Sequence, residues 1–186
     1  ERLRHYAGFL KYARQTGIGD LELTLHGYRG SWQPTEQIPE RIVGSASCPD
    51  VFCSPDPTAI GETTRLIANA GLSGDGWRVN AYAQYYNWNM YSNPEYYDAA
   101  GNSAQIRQID KRRVYGLTAE RQFKLGETLE LRLGTENRLD DIDEVGVLHT
   151  DARTLVASQG LYAVDEASIA LYGSASWRPI ESLRLT

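Results

Sequence analysis

Long apolar runs are missing from this chain. No stretch of about 18 apolar residues occurs, so no transmembrane helix is encoded. No apolar core follows Glu1-Arg2-Leu3-Arg4, so a secretory leader is not expected here, and an exported protein would be mature or internal at this point. Cations are not in excess: 19 Lys and Arg stand against 24 Asp and Glu, with both signs spread along the chain. That excludes the basic face with which proteins hold nucleic acid. Histidine is scarce. His5, His26 and His149 are scattered, two in alternating segments and one in an irregular one, and such spacing does not make a metal site. No Ser/His/Asp or Cys/His set can be placed and no nucleophile has a base beside it, so the chain is not expected to be an enzyme or to carry a cofactor. Phenylalanine is rare too, with 3 Phe against 12 Tyr, and tyrosine suits a wet boundary because its ring is apolar and its tip polar.

What the 186 residues do contain is alternation. The clearest case runs from Thr63 to Tyr91. Leu66, Ala68, Ala70 and Leu72 share one face of the first arm, opposite Arg65, Ile67, Asn69 and Gly71. Ser73-Gly74-Asp75-Gly76 is a compact turn, since Gly supplies positive φ and Asp bonds its own backbone. In the second arm Trp77, Val79, Ala81, Ala83 and Tyr85 oppose Arg78, Asn80, Tyr82, Gln84 and Tyr86. Period two predicts two strands. Small and aliphatic residues with an aromatic at each end resemble the lipid face of an outer-membrane strand, although a soluble sandwich also has one apolar face.

The rest of the chain repeats the plan. Strands are expected over residues 4–13, 20–32, 105–123, 128–140 and 163–178, with a partial eighth from Leu183. Short turns fall near residues 17, 74, 126 and 180. Long irregular connections are expected at 33–61, which holds five prolines, at 92–103, and at 141–162. Short turns on one rim and long loops on the other are the outer-membrane pattern. Trp77 and Trp177 stand beside short turns on the apolar face, and Phe123 lies beside the turn at 126, as a girdle would. A mean hydropathy of −0.47 does not oppose this, because only alternate residues would meet lipid. The expected fold is all-β: an antiparallel up-and-down transmembrane β-barrel segment of about seven full strands plus a partial eighth. Since alternation is already running at residue 4 and still running at 186, the chain reads as an internal piece of a larger barrel. A small closed eight-stranded barrel is the alternative.

The segment Trp32-Gln33-Pro34-Thr35-Glu36-Gln37-Ile38-Pro39-Glu40-Arg41 resembles the loop that TonB-dependent receptors carry after an early barrel strand. Asp56-Pro57-Thr58, the run Gly61-Glu62-Thr63-Thr64-Arg65 and the later Tyr-rich strands continue the likeness. The resemblance implies a barrel of about 22 strands with a plugged lumen. It would sit in the outer membrane of a Gram-negative bacterium and import a scarce solute, such as an iron–siderophore complex, with energy from the TonB complex. The plug domain, the TonB box and the usual terminal aromatic are absent from residues 1–186, so plug, motor contact and remaining strands would lie outside them. A passive porin-like or structural barrel is the second choice, and a soluble β-rich carbohydrate-binding domain the third.

Several residues follow from the barrel plan. Arg65, Arg78, Glu120, Glu130, Arg132, Glu136 and Arg138 are expected to face the lumen, where charge is ordinary and a plug could dock. Leu131 and Leu171 should face lipid, and Arg132 and Tyr172 the lumen. Cys48 and Cys53 should form a loop disulfide, because export passes through an oxidising compartment. Tyr91, Tyr96, Tyr97 and Asp98 stand on the long-loop rim and are candidates for solute contact, with the outer aromatic girdle as the plainer role. Asp140, Asp141, Asp143 and Glu144 form an acidic run that reads as a solvated strand end, the other reading being a weak Ca²⁺ site.

Overall fold

A computed structural model describes residues 3–34, 36–97 and 101–186. Among these residues the fold is all-β, with a single short 3-10 turn at Glu40–Ile42. Eight strands run β1 (Leu3–Thr16), β2 (Gly19–Trp32), β3 (Ile60–Gly74), β4 (Trp77–Ser92), β5 (Ile106–Leu125), β6 (Leu129–Asp151), β7 (Thr154–Ile180) and β8 (Leu183–Leu185). They form one antiparallel sheet whose spatial order is the chain order, and the sheet is not closed.

Register carries the alternation of each strand into its neighbours. Leu23 lies beside Ala70, Ala70 beside Ala81, Ala81 beside Leu117 and Leu117 beside Asn137, which faces Ile169. One row on, Leu21, Leu72, Val79, Ala119, Thr135 and Leu171 follow each other across six strands. The result is one apolar face, and it is open: Leu171 is 83% exposed and Ile169 80%. Two polar residues interrupt it. Thr135 turns its hydroxyl to the Ala170 carbonyl at 2.9 Å, and Asn137 donates to the Leu117 carbonyl at 3.5 Å and to Thr135 Oγ1 at 3.1 Å. Donors turned onto backbone carbonyls do not need water.

The other face is polar and, around β5 and β6, tightly packed: Val114, Asp140 and Ile142 are buried. Glycine makes part of that packing. The Tyr82 ring covers Gly116, and the Tyr172 ring covers Gly134 from the facing strand, so a Cβ at either glycine would overlap ring atoms. Gly134→Val is expected to destabilise the sheet by about 1–3 kcal/mol through overpacking. The denaturant midpoint measures this, and an unchanged midpoint would show that Tyr172 swings away freely.

The short-turn rim agrees with the sequence. Gly17 and Ile18 join β1 to β2, Asp75 and Gly76 join β3 to β4, and residues 126–128 and 181–182 make the other two turns. Gly76 has φ of +68°, the left-handed value that the turn demands. The opposite rim departs from expectation at one place. Residues 33–59 and 93–105 are long connections, but 141–162 is no loop. β6 and β7 continue through it as a hairpin closed by Ala152 and Arg153, both at positive φ, 45° and 69°. The cause is bulging. Register shifts between Ile142 and Val145, Val147 and Leu148, and His149 and Thr150 break period two, so the segment has no alternation to read.

Candidate functional site

Two assemblies of side chains stand out, one on the polar face and one on the long-loop rim. On the polar face the registered charges are partly drawn together. Glu120 accepts a 3.2 Å hydrogen bond from the Tyr172 hydroxyl and lies 3.7 Å from Arg132. Arg138 grips Asp140 with two bonds of 2.5 and 2.8 Å, while Arg112 holds Asp110 at 2.7 Å and reaches within 3.6 Å of Asp140. A buried Asp140 flanked by two guanidiniums is compensated, as a buried charge must be. Arg65 stacks on Tyr86 with its guanidinium 5.0 Å from the ring centre. Arg78 lines a cleft of about 540 Å³ with Asp20, Glu22, Asn69 and Asn80, a space that Gly71 leaves open. Glu130 borders a separate cleft with Lys124, Arg178 and Arg184 near the short turns. Glu136 stands between Thr118 and Ala170 in register. The seven charges therefore share a face but not one site.

The acidic run is occupied from within. Arg113 binds Asp141 at 2.9 Å and both oxygens of Asp143 at 2.9 Å, and Lys111 approaches Asp143 at 3.6 Å. With Asp140 held by Arg138, these carboxylates meet guanidinium groups. No group of three His, Cys, Asp or Glu suited to a metal ion occurs among the described residues.

On the long-loop rim, Gln105 is the hub. Its side chain is fully buried and makes four hydrogen bonds. Nε2 donates to Asp56 Oδ2 at 2.7 Å and to Thr58 Oγ1 at 2.8 Å, and Oε1 accepts from the Thr150 hydroxyl at 2.8 Å and the Arg153 amide at 2.9 Å. One amide thus ties the 33–59 loop, the 93–105 loop and the β6–β7 hairpin together. Asp56 adds a bond from Asn93 Nδ2 at 2.8 Å, Glu36 accepts the Asn93 backbone amide at 2.8 Å, and Arg153 Nε reaches the Thr58 carbonyl at 2.7 Å. Arg41 clamps the far side, donating to the carbonyls of Glu95 and Tyr97, each at 2.8 Å. Burial pushes the Asp56 carboxyl upward, but hydrogen bonds from Thr58, Asn93 and Gln105 outweigh it and hold the group below its ordinary value.

The four residues proposed for solute contact divide. Tyr91 lies under two guanidiniums, Arg107 at 5.5 Å and Arg153 at 5.8 Å from its ring centre, so its ring already has occupants. Tyr96 and Tyr97 pack edge to face at 4.6 Å on the 93–105 loop, and Tyr97 is 45% exposed. Asp98 lies outside the described residues. Cys48 and Cys53 are joined by a disulfide, with Cα atoms 5.1 Å apart. Alkylation without reductant is expected to modify neither cysteine, and intact mass reads the outcome directly.

Sequence reasoning gave Gln105, Asn93, Thr150 and Arg153 no part in a site. Each is a lone polar residue at the end of a strand or in a turn, and their meeting depends on three connections folding over one rim. Asp56-Pro57-Thr58 was the available signal: Asp56 caps the Thr58 amide at 2.8 Å, the turn expected of such a tripeptide. No family model, curated protein or solved structure matches this chain.

Proposed function

We propose that this chain is part of an outer-membrane β-barrel that imports a solute, with the apolar face in lipid, the polar face toward the lumen and the long-loop rim outside the cell. The apolar face carries the proposal. On β6 it extends from Leu129 to Leu139, about 34 Å at ~3.4 Å per residue, or about 26 Å in height at a tilt of ~40°. Outer-membrane strands have an apolar band about 25 Å tall. Beyond Leu66, Tyr85 and Tyr115 the same face turns polar at Thr64, Asn87 and Arg113, so the band has an end as well as a width. In water, so large an open apolar surface would invite aggregation.

Hydrocarbon does not tolerate an open strand edge, which gives the proposal a second element. β7 pairs with β8 only at Trp177↔Leu185 and Ile180↔Leu183, leaving a long stretch of its edge without a neighbour among the described residues. Further strands would pair it in the working barrel. Energy coupling through TonB rests on the likeness of Gln37-Ile38-Pro39-Glu40-Arg41 and its surroundings to TonB-dependent receptors. Those residues belong to the loop whose Asp56 and Thr58 meet Gln105.

Uptake assays test the activity. Cells without the protein should lose energy-dependent uptake of one solute among iron chelates, cobalamin and sugars. Uptake that survives collapse of the proton-motive force would favour a passive pore, and unchanged uptake of every solute would remove transport altogether.

A further inference from the structure

Above the apolar band, the outward face holds a second polar site. Register sets Arg29 beside Thr64, Thr64 beside Asn87, and Asn87 beside Lys111, one row across β2 to β5. Four strands at a spacing of about 4.8 Å make this row about 14 Å long. It stands two residues beyond Leu66 and Tyr85, on the same side of the sheet. The row lines a cleft of about 310 Å³, with Glu62, Asn89, Arg107 and Glu144 completing its polar wall. Every member of the row can donate hydrogen bonds, and both ends are cationic. Arg107 is fixed over the cleft by a 2.7 Å bond to Asn89 and by the Tyr91 ring. Arg29, Arg107 and Lys111 line it with Glu62 and Glu144, while Asp143, held by Arg113 at 2.9 Å, stands 3.6 Å from Lys111.

A donor row with cationic ends, directly above an apolar surface, matches a molecule with a phosphate head and an acyl tail. We propose that this cleft binds the phosphate of a membrane-lipid headgroup, with Arg29 and Lys111 as charged clamps and Thr64 and Asn87 as neutral donors between them. The lipid's chains would continue over Leu66 and Tyr85 toward the band. The inference rests on the membrane reading above, because only there does this row meet headgroups. Glu62 opposes a phosphate, so its neutralisation should strengthen binding, a response that a purely structural cleft would not give.

The test uses the protein extracted from its own membrane in mild detergent and stripped of lipid. Bisphosphorylated lipid A, its dephosphorylated form and inorganic phosphate are the probes, with native mass spectrometry reading retention. Bisphosphorylated lipid A should be retained, the dephosphorylated form should not, and inorganic phosphate should fail to displace it. The double variant R29Q/K111Q should weaken retention about tenfold or more, and E62Q should increase it. Equal retention of both lipids, or no loss in the double variant, would overturn the proposal, and displacement by inorganic phosphate would make this a free-anion site. Lipid-exposure labels at Leu171 distinguish the two levels. If they report lipid while the charge variants change nothing, only the headgroup site falls; if they report water, the membrane reading falls with it.

Discussion

Leu171→Arg is expected to cost about 2–4 kcal/mol when the protein is folded in a bilayer. Leu171 faces Thr135 across the ladder, close to the middle of the apolar face. With 83% of its surface open, it has little packing to lose, so in a water-soluble sheet the same change would fall within about ±0.5 kcal/mol. Most of the penalty would therefore come from hydrocarbon. Tyr172→Arg next door, on the polar face, should be free of that term and lose the bond to Glu120 and the ring's cover over Gly134. Denaturant titration of the protein refolded in lipid vesicles measures both. Equal, small costs at 171 and 172 would place both faces in water. Spin labels at 131 and 132 give the same contrast: Leu131 shares its row with Phe123 and Ala175, while Arg132 shares its row with Gln122 and Ser174.

Gln105→Leu is expected to release the long-loop rim without melting the sheet. The substitution keeps the volume but leaves Asp56, Thr58, Thr150 and the Arg153 amide short of a partner. At about 1–3 kcal/mol for each buried group left unpaired, the loss should reach ~3 kcal/mol or more, unless water enters to replace the amide. Residues 33–59 should then exchange amide hydrogens faster, and trypsin should cut after Arg41, which the carbonyls of Glu95 and Tyr97 now hold. Unaltered exchange in that loop would show that the three connections are held by other means. Acid should act in the same direction. Because the folded state holds the Asp56 carboxyl below its ordinary value of 3.8, its contribution is present above that value. It is lost as pH falls through the depressed folded value, so the rim should loosen in strong acid while remaining closed at neutral pH.

The strands were legible in the sequence wherever alternation was uninterrupted. Leu66 to Leu72 and Trp77 to Tyr85 show their faces at sight, because a sheet with one apolar side must write that side into every second residue. Legibility failed at 141–162 for two reasons. The acidic run looks solvated until Arg113 and Arg138 are seen to meet it, and three register shifts carry the hairpin through residues that no single period describes. The rim network was not readable at all. Gln105, Asp56 and Thr150 are far apart in the chain, and nothing about a lone glutamine announces that it will join all three connections.

Because each described strand pairs only with its predecessor and its successor, the wiring of this sheet is local. Among the described residues no strand is inserted between two earlier ones, and no crossover must wait for distant chain to arrive. Assembly can proceed like a ribbon lengthening at one edge, each hairpin finding its template in the one before it. Such a ribbon can gain or lose hairpins in pairs of strands, so that girth changes without any rewiring of those already laid down. Change in the 33–59 connection is likewise decoupled from the ladder, since that loop's ties run to neighbouring loops and hairpin tips rather than into the strands' backbone pairing. A lineage built on this plan is free to vary its long loops while keeping an unchanged ladder beneath them.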